Sequence, residues 1–145
     1  NWMKGRDHPR CKKADIEKLA GALGVEPKDI ASFTSEVRFH RGSSRKAKLL
    51  VDLVRGKSVD EATNLLTFTT KRAALNVKKA LMAAVADAEQ AQADTTQLYV
   101  AEARVDEAGM IKRFQPKDRG RAHPILKRLS HITISVRERA AKAGA

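Results

Sequence analysis

One stretch restricts this chain more than any other: Met110–Lys127, MIKRFQPKDRGRAHPILK, followed directly by Arg128. Two runs of β character flank it, Gln97–Val105 (QLYVAEARV) on entry and Ser130–Val136 (SHITISV) on return. Between them, Pro116, Asp118 and Gly120 supply turn chemistry. Lys112, Arg113, Lys117, Arg119, Arg121, Lys127 and Arg128 face a single carboxylate, Asp118, leaving a net +6, half of the chain's +12. Strands rise about 3.3 Å per residue, so arms of roughly a dozen residues carry this charge about 40 Å from the base. The pattern predicts a long β-hairpin at about 98–136 whose tip is too polar to bury itself.

A chain of 145 residues suffices for one domain with a modest core plus appendages. Hydrophobic content is ordinary at 42%, but aromatic content is 4%, low for a protein that stacks successive bases of a single strand. The sequence pI near 10.2 points to a polyanionic partner, and the spread of charge along the chain points to a folded surface rather than a single basic tail. Cys11 has no second cysteine, which excludes an internal disulfide and, despite His8 nearby, a zinc site. No long apolar run or secretory signal is present, so no membrane association is expected, nor any homo-oligomer.

Residues 1–31 read as a basic arm and a helical extension, distinct from a domain over 32–145. The arm carries Lys4, Arg6, Arg10, Lys12 and Lys13. Ala14–Leu23 repeats Ile16, Leu19, Ala20 and Leu23 at helical spacing, stopped by Gly24, and another helical turn starts near Pro27. Although LAGALGVEPKDI resembles the first two helices of a helix-turn-helix, no basic recognition helix follows, and the segment reads as a small docking unit. Phe33–Arg41 has strand character, with Phe33, Val37 and Phe39 available for burial. Ser43 or Ser44 caps a helix over Arg45–Arg55 with the apolar stripe Ala47, Leu50, Val51 and Val54. Ser58 and Glu61 form a capping box before a short helix, and Thr69 or Thr70 caps the longest helix, running to about Gln92, some 33 Å. Its stripe of Ala73, Val77, Ala80, Leu81, Ala84, Val85 and Ala88 reads as packing surface.

Nothing in the sequence is organised for catalysis. It has no Gly-rich phosphate loop, nucleophile elbow or metal spacing, and no cofactor is expected. His8, His40, His123 and His131 are scattered; Asp106-Glu107 reads as a carboxylate pair in a bend. What remains is cationic charge in three clusters: Arg38, Arg41, Arg45, Lys46 and Lys48; Lys71, Arg72, Lys78 and Lys79 on the long helix; and the hairpin tip. Arg45 and Lys46 sit in a first helical turn, where the helix dipole disfavours cations and an external phosphate would offset the penalty. Arginine forks grip phosphate bidentately, which suits Arg113, Arg119 and Arg121. Ile111, Phe114 and Ile125 are interleaved with them, placed to wedge against bases or pack across the ribbon. Gly120 permits a tight turn and close approach of backbone to ligand. Few aromatics and many cations favour folded RNA, recognised by shape and phosphate. The competing reading is a histone-like architectural DNA binder with basic β-arms.

These residues resemble a known family, the bacterial-type large-subunit ribosomal protein twenty-two. The resemblance runs through SSRKAKLLVDLVRGKSVDEA (Ser43–Ala62), TTKRAALNVKKAL (Thr69–Leu81), LYVAEARVDEAG (Leu98–Gly109), KRFQPKDRGRA and KRLSHITISV, covering about Val37–Glu138. It implies an α+β fold, three helices on a small antiparallel sheet with a protruding hairpin, and a non-enzymatic role in the ribosome, cytoplasmic or organellar. It further implies binding to several domains of the large rRNA, an assembly role, and a hairpin lining the nascent-peptide exit tunnel beside ribosomal protein four of the same subunit and other large-subunit proteins. The implied rRNA-binding residues are the cations of the three clusters, Lys79 aside, with Gly120 and His131. Ile111, Lys112, Arg113 and Phe114 would line the tunnel, with Lys117, Arg119, Gly120, Arg121 and Ala122 at the tip. The sequence departs from the family at Lys117-Asp118, at Asp87–Gln92 and at His123-Pro124, where a proline in the return arm predicts a kink or bulge.

Overall fold

The computed structural model describes residues 13–25 and 27–139; the basic arm over 1–12, with His8 and Cys11, and the end of the tail lie outside them. In chain order come α1 (Lys13–Leu23), α2 (Pro27–Ile30), β1 (Phe33–His40), α3 (Ser44–Val54), α4 (Val59–Phe68), α5 (Ala73–Gln90), β2 (Leu98–Pro116) and β3 (Ala122–Glu138). The fold is α+β. A three-stranded antiparallel sheet of order β1-β3-β2 is covered by α3, against β2, and α5, against β1 and β3, with α4 packed on α5.

Helix α3 is tied to β2 at both ends. Ser43 occupies the N-cap position but makes no side-chain capping bond. Instead the buried Ser44 Oγ donates to Glu107 Oε1 at 2.8 Å. At the far end Arg55 Nε and Nη2 donate to the Ala103 carbonyl at 3.1 and 2.5 Å. The helix rises about 16 Å and Ala103–Glu107 spans about 13 Å of strand, so the spacings match. Both Asp106 and Glu107 lie inside β2, which corrects the expected bend. Asp106 is 3.5 Å from Arg104, and Glu107 anchors α3.

The cap of α4 follows the sequence pattern, Ser58 Oγ accepting from Glu61 N at 3.3 Å. The start of α5 does not. Thr69 Oγ1 donates back to the Leu65 carbonyl at 2.6 Å and ends α4. Consequently Lys71 and Arg72 precede α5, which has 18 residues and about 27 Å of length instead of the expected 33 Å. Its stripe is buried as expected, joined by Ala74. The small side chains let β1 and β3 approach the helix closely, and Leu98, Val100, Ile132, Ile134 and Val136 close the core from the sheet.

The alternation expected in β1 fails at its end. A bulge between Val37 and His40 shifts the register against β3. Phe33 and Val37 pack against the core, but Phe39 points outward and His40 takes the buried place. One extra residue inverts the facing of every side chain beyond it.

The hairpin has two unlike halves. Up to the pair Glu107–Ser130 it belongs to the sheet; then Ala108 and Gly109 are accommodated opposite Leu129 before Met110 pairs with Arg128. Beyond this bulge β3 has only β2 beside it, because β1 ends at His40–Ser130. The free arm Met110–Pro116 adds about 23 Å. The kink expected at Pro124 is not found; Phe114 pairs with Pro124 in unbroken register. Antiparallel pairs alternate between bonded and non-bonded. Counting from the closing bond Lys117 N to Arg121 O at 2.7 Å, Pro116–Ala122 and Phe114–Pro124 fall on non-bonded pairs. There a missing N–H faces away from the partner and the ladder loses nothing. At the tip Arg119 (φ 54) and Gly120 (φ 70) reverse the chain through two left-handed residues.

The close helix–sheet approach generates a prediction. Ala84→Leu at the fully buried position should destabilise the fold by about 1–3 kcal/mol through overpacking. Ala83→Leu, exposed next door, should stay within about 0.5 kcal/mol of the parent in urea unfolding.

Candidate nucleic-acid interface

Where β1 leaves the sheet and crosses to α3, a cleft of about 550 Å³ opens beside the free edge of β3. Five cations from four places in the sequence line it: Arg41 after β1, Arg72 before α5, Arg113 on β2, and Lys127 and Arg128 on β3. Among the described residues no carboxylate lines it; Gly42, Ser43, Ile111, Leu126 and Leu129 complete the wall. The adjoining first turn of α3 holds no acidic residue and carries Arg45 and Lys46. Its uncapped backbone N–H groups and positive dipole end add to the cationic field.

His40 sits buried next to this cleft. Asn76 Nδ2 donates to His40 Nδ1 at 2.6 Å, an assignment that places the ring proton on Nε2. Gly42 packs over the same ring, and a Cβ there would stand 2.5 Å from His40 Nε2, so no larger residue fits without moving the imidazole. Burial, and secondarily the Arg72 charge, holds the His40 pKa below its ordinary 6.5. The ring beside the positive cleft therefore favours its uncharged form.

The upper hairpin carries the rest of the charge. Among the described residues, no ion pair neutralises Lys112, Arg113, Lys117, Arg119, Arg121, Lys127 or Arg128. Arg113 makes one internal hydrogen bond, Nη1 to the Lys112 carbonyl at 2.9 Å. Ile111 and Ile125 are half-buried across the ribbon, whereas Phe114 is 73% exposed. Gly120 and Ala122 lie open at the tip.

The predicted clusters are thus partly re-sorted. Arg41 and Arg72, from two different clusters, meet the hairpin's Arg113, Lys127 and Arg128. Arg38 does not join them; its Nε is held by Glu36 Oε2 at 2.8 Å. Arg45, Lys46 and Lys48 stay exposed along α3, and Lys71 is exposed ahead of α5. Lys78 turns toward α4, its Nζ donating to Thr67 Oγ1 at 2.9 Å. His131 accepts from Phe39 N–H through Nδ1 at 3.3 Å. Residues the sequence reasoning missed are Phe39, assigned to burial, and His40 and Gly42, whose steric match depends on the bulge. Leu126 and Leu129 were not singled out either. A larger cavity of about 600 Å³ lies between α1, α2 and the end of α5, where, among the described residues, Glu17 and Asp87 line it with no cation.

The family model for ribosomal protein L22p/L17e matches residues 35–137. The chain belongs to the ribosomal protein L22p/L17e family. The match starts within β1 and ends within β3, so it takes in the cleft and the whole hairpin and leaves out α1 and α2. Two relatives, each named large ribosomal subunit protein uL22, come from two strains of Lactobacillus delbrueckii subsp. bulgaricus. Each is 48% identical over 110 residues, covering 75% of this chain and 94% of the relative. Among the described residues, no group of three or more His, Cys, Asp or Glu side chains could hold a metal ion, and no helix is long and apolar enough to cross a membrane.

His40 gives the stability of the fold a pH dependence of known sign. Its folded-state pKa lies below 6.5, so below about pH 6.5 the unfolded chain takes up a proton that the folded one refuses. Stability should be flat above that pH and fall as pH drops through it. Thermal melting between pH 7.5 and 5.5 should show the decline, and His40→Asn should remove that part of it.

Proposed function

We propose that this ribosomal protein family member is a structural rRNA-binding component of the large ribosomal subunit. The supporting observation is the cleft, where five cations from separate parts of the chain converge with no acid among them. Like charges gathered from four places repel one another, and a phosphate backbone is the counter-charge that suits them. The ribbon extends the same field outward. On this reading, the hairpin runs inward along the peptide exit tunnel. Ile111, Lys112, Arg113 and Phe114 face its wall, and Lys117, Arg119, Gly120, Arg121 and Ala122 stand at the furthest point. Ribosomal protein four of the same subunit would be a neighbour there, and the nascent peptide would pass the tip. Contacts from the body to one rRNA domain and from the ribbon to others would support subunit assembly, in cytoplasmic ribosomes.

Salt dependence tests the electrostatic part. Replacing Lys112, Arg113, Arg119 and Arg121 with Ala should weaken binding to folded large-subunit rRNA and reduce the log–log salt slope by roughly 3 to 4 units. An unchanged slope would remove the ribbon from the interface. Duplex DNA of equal length should compete poorly; equal competition would favour an architectural DNA binder instead.

The same reading divides the chain at about residue 32. In α1 the apolar row is split: Ala20 is buried and Ile16 half-buried, while Leu19 and Leu23 stay exposed with Val25 and Ile30. The docking face assigned to the extension is Ile16, Leu19 and Leu23, against a neighbouring protein or rRNA at the subunit surface; of the three, Leu19 and Leu23 stand open for it. Deleting residues 1–31 should leave the hairpin-dependent salt slope intact; loss of all rRNA binding would refute the division.

A further inference from the structure

We infer that Phe39 and His131 form a seat for one unpaired nucleobase at the shoulder of the cationic cleft. The inference rests on the rRNA-binding reading and adds a contact that phosphate electrostatics does not supply. Phe39 has φ +54, a left-handed conformation that bulky side chains rarely adopt. Strained backbone of this kind persists only where its surroundings enforce it, and such positions cluster at ligand sites. Here the strain turns His40 into the core and holds the Phe39 ring out, 60% exposed.

Both the backbone and the ring of Phe39 are held by His131. Phe39 N–H donates to His131 Nδ1 at 3.3 Å, and the two rings meet edge to face, centroids 4.9 Å apart and planes at 69°. Because Nδ1 accepts this bond, the ring proton sits on Nε2. The seat therefore offers an open aromatic face with an imidazole N–H donor beside it. A flat heterocycle with acceptors on its edge matches both features. Phe114 and Phe68 are also exposed, but neither has left-handed backbone or, among the described residues, a ring partner.

Its surroundings select a base over a phosphate. On β1 itself Arg38 is paired with Glu36 at 2.8 Å, and on β2, beside the strand of His131, Arg104 lies 3.8 Å from Glu102 and 3.5 Å from Asp106. These cations are already compensated. The uncompensated ones begin at Arg41, two residues after Phe39, while Leu129, two residues before His131, also lines the cleft. Two strand residues span about 7 Å. A nucleotide stacked on Phe39 can thus place its own or the next phosphate among the cleft cations.

Binding of folded large-subunit rRNA, measured across a salt series, tests the seat. Phe39→Ala should lower affinity about 5- to 100-fold with an unchanged salt slope, because stacking is lost but no phosphate contact is. Phe39→Trp should retain affinity, and Phe39→Leu, apolar but not planar, should lose most of it. Chemical probing should show one nucleotide exposed by Phe39→Ala while its neighbours stay protected. Wild-type affinity in Phe39→Ala, or full affinity in Phe39→Leu, would overturn the seat and leave the rRNA reading standing. Failure of the unmodified protein to prefer rRNA over duplex DNA would instead overturn the reading itself.

Discussion

The structure turns on where its core stops. Burial by the helices ends at one register pair, Glu107–Ser130, and everything the hairpin does afterwards it does without a hydrophobic interior. A two-stranded ribbon alone is marginal in water. Here its lower half is part of a three-stranded sheet, and that sheet is clamped by α3 through Ser44–Glu107 and Arg55–Ala103. The clamp lies immediately below the bulge at Ala108–Gly109. The body therefore fixes the angle at which the ribbon departs, and the ribbon's stiffness comes from its ladder and its left-handed tip.

The same boundary explains the charge distribution. Below it, on the strands of the sheet, Glu36, Glu102 and Asp106 compensate Arg38 and Arg104. Above it, and in the cleft beside it, cations stand without such partners among the described residues. Exposed ion pairs contribute little to stability, so the pairs on the sheet are not needed to hold the fold together. Their effect is to leave those strands without the excess positive charge of the ribbon. Unpaired cations gain most from an external anion, which makes the contrast between the two regions a map of where a polyanion can lie.

Much of this was legible in the sequence, and the limits have physical causes. The hairpin, the buried stripes of α3 and α5, and the Ser58 cap depend on periodicity and local chemistry, which a single sequence displays directly. The start of α5 was misplaced because Thr69 can serve either as a cap for the next helix or as a back-bonding C-terminus for the previous one; tertiary packing chose the second. Phe39 was misassigned because alternation carries no mark of an inserted residue. Pro124 was expected to bend the arm because its missing donor was visible but the bonded phase of the ladder was not. The cleft was invisible as a unit: its members are spread from Arg41 to Arg128, and only the folded chain brings them together.

The bulge that hid Phe39 also connects the core to the interface. By inverting the facing of β1, it places an imidazole where the alternation called for an aromatic ring, against Asn76 and under Gly42. Burial first, and the Arg72 charge second, hold its pKa below the ordinary value, so the uncharged ring adds no repulsion beside the cleft. The phenyl ring displaced from the core becomes an exposed surface two residues before Arg41 of the cleft. One local irregularity thus buries an imidazole beside the cleft and turns the neighbouring phenyl ring outward, so the two placements cannot be varied independently.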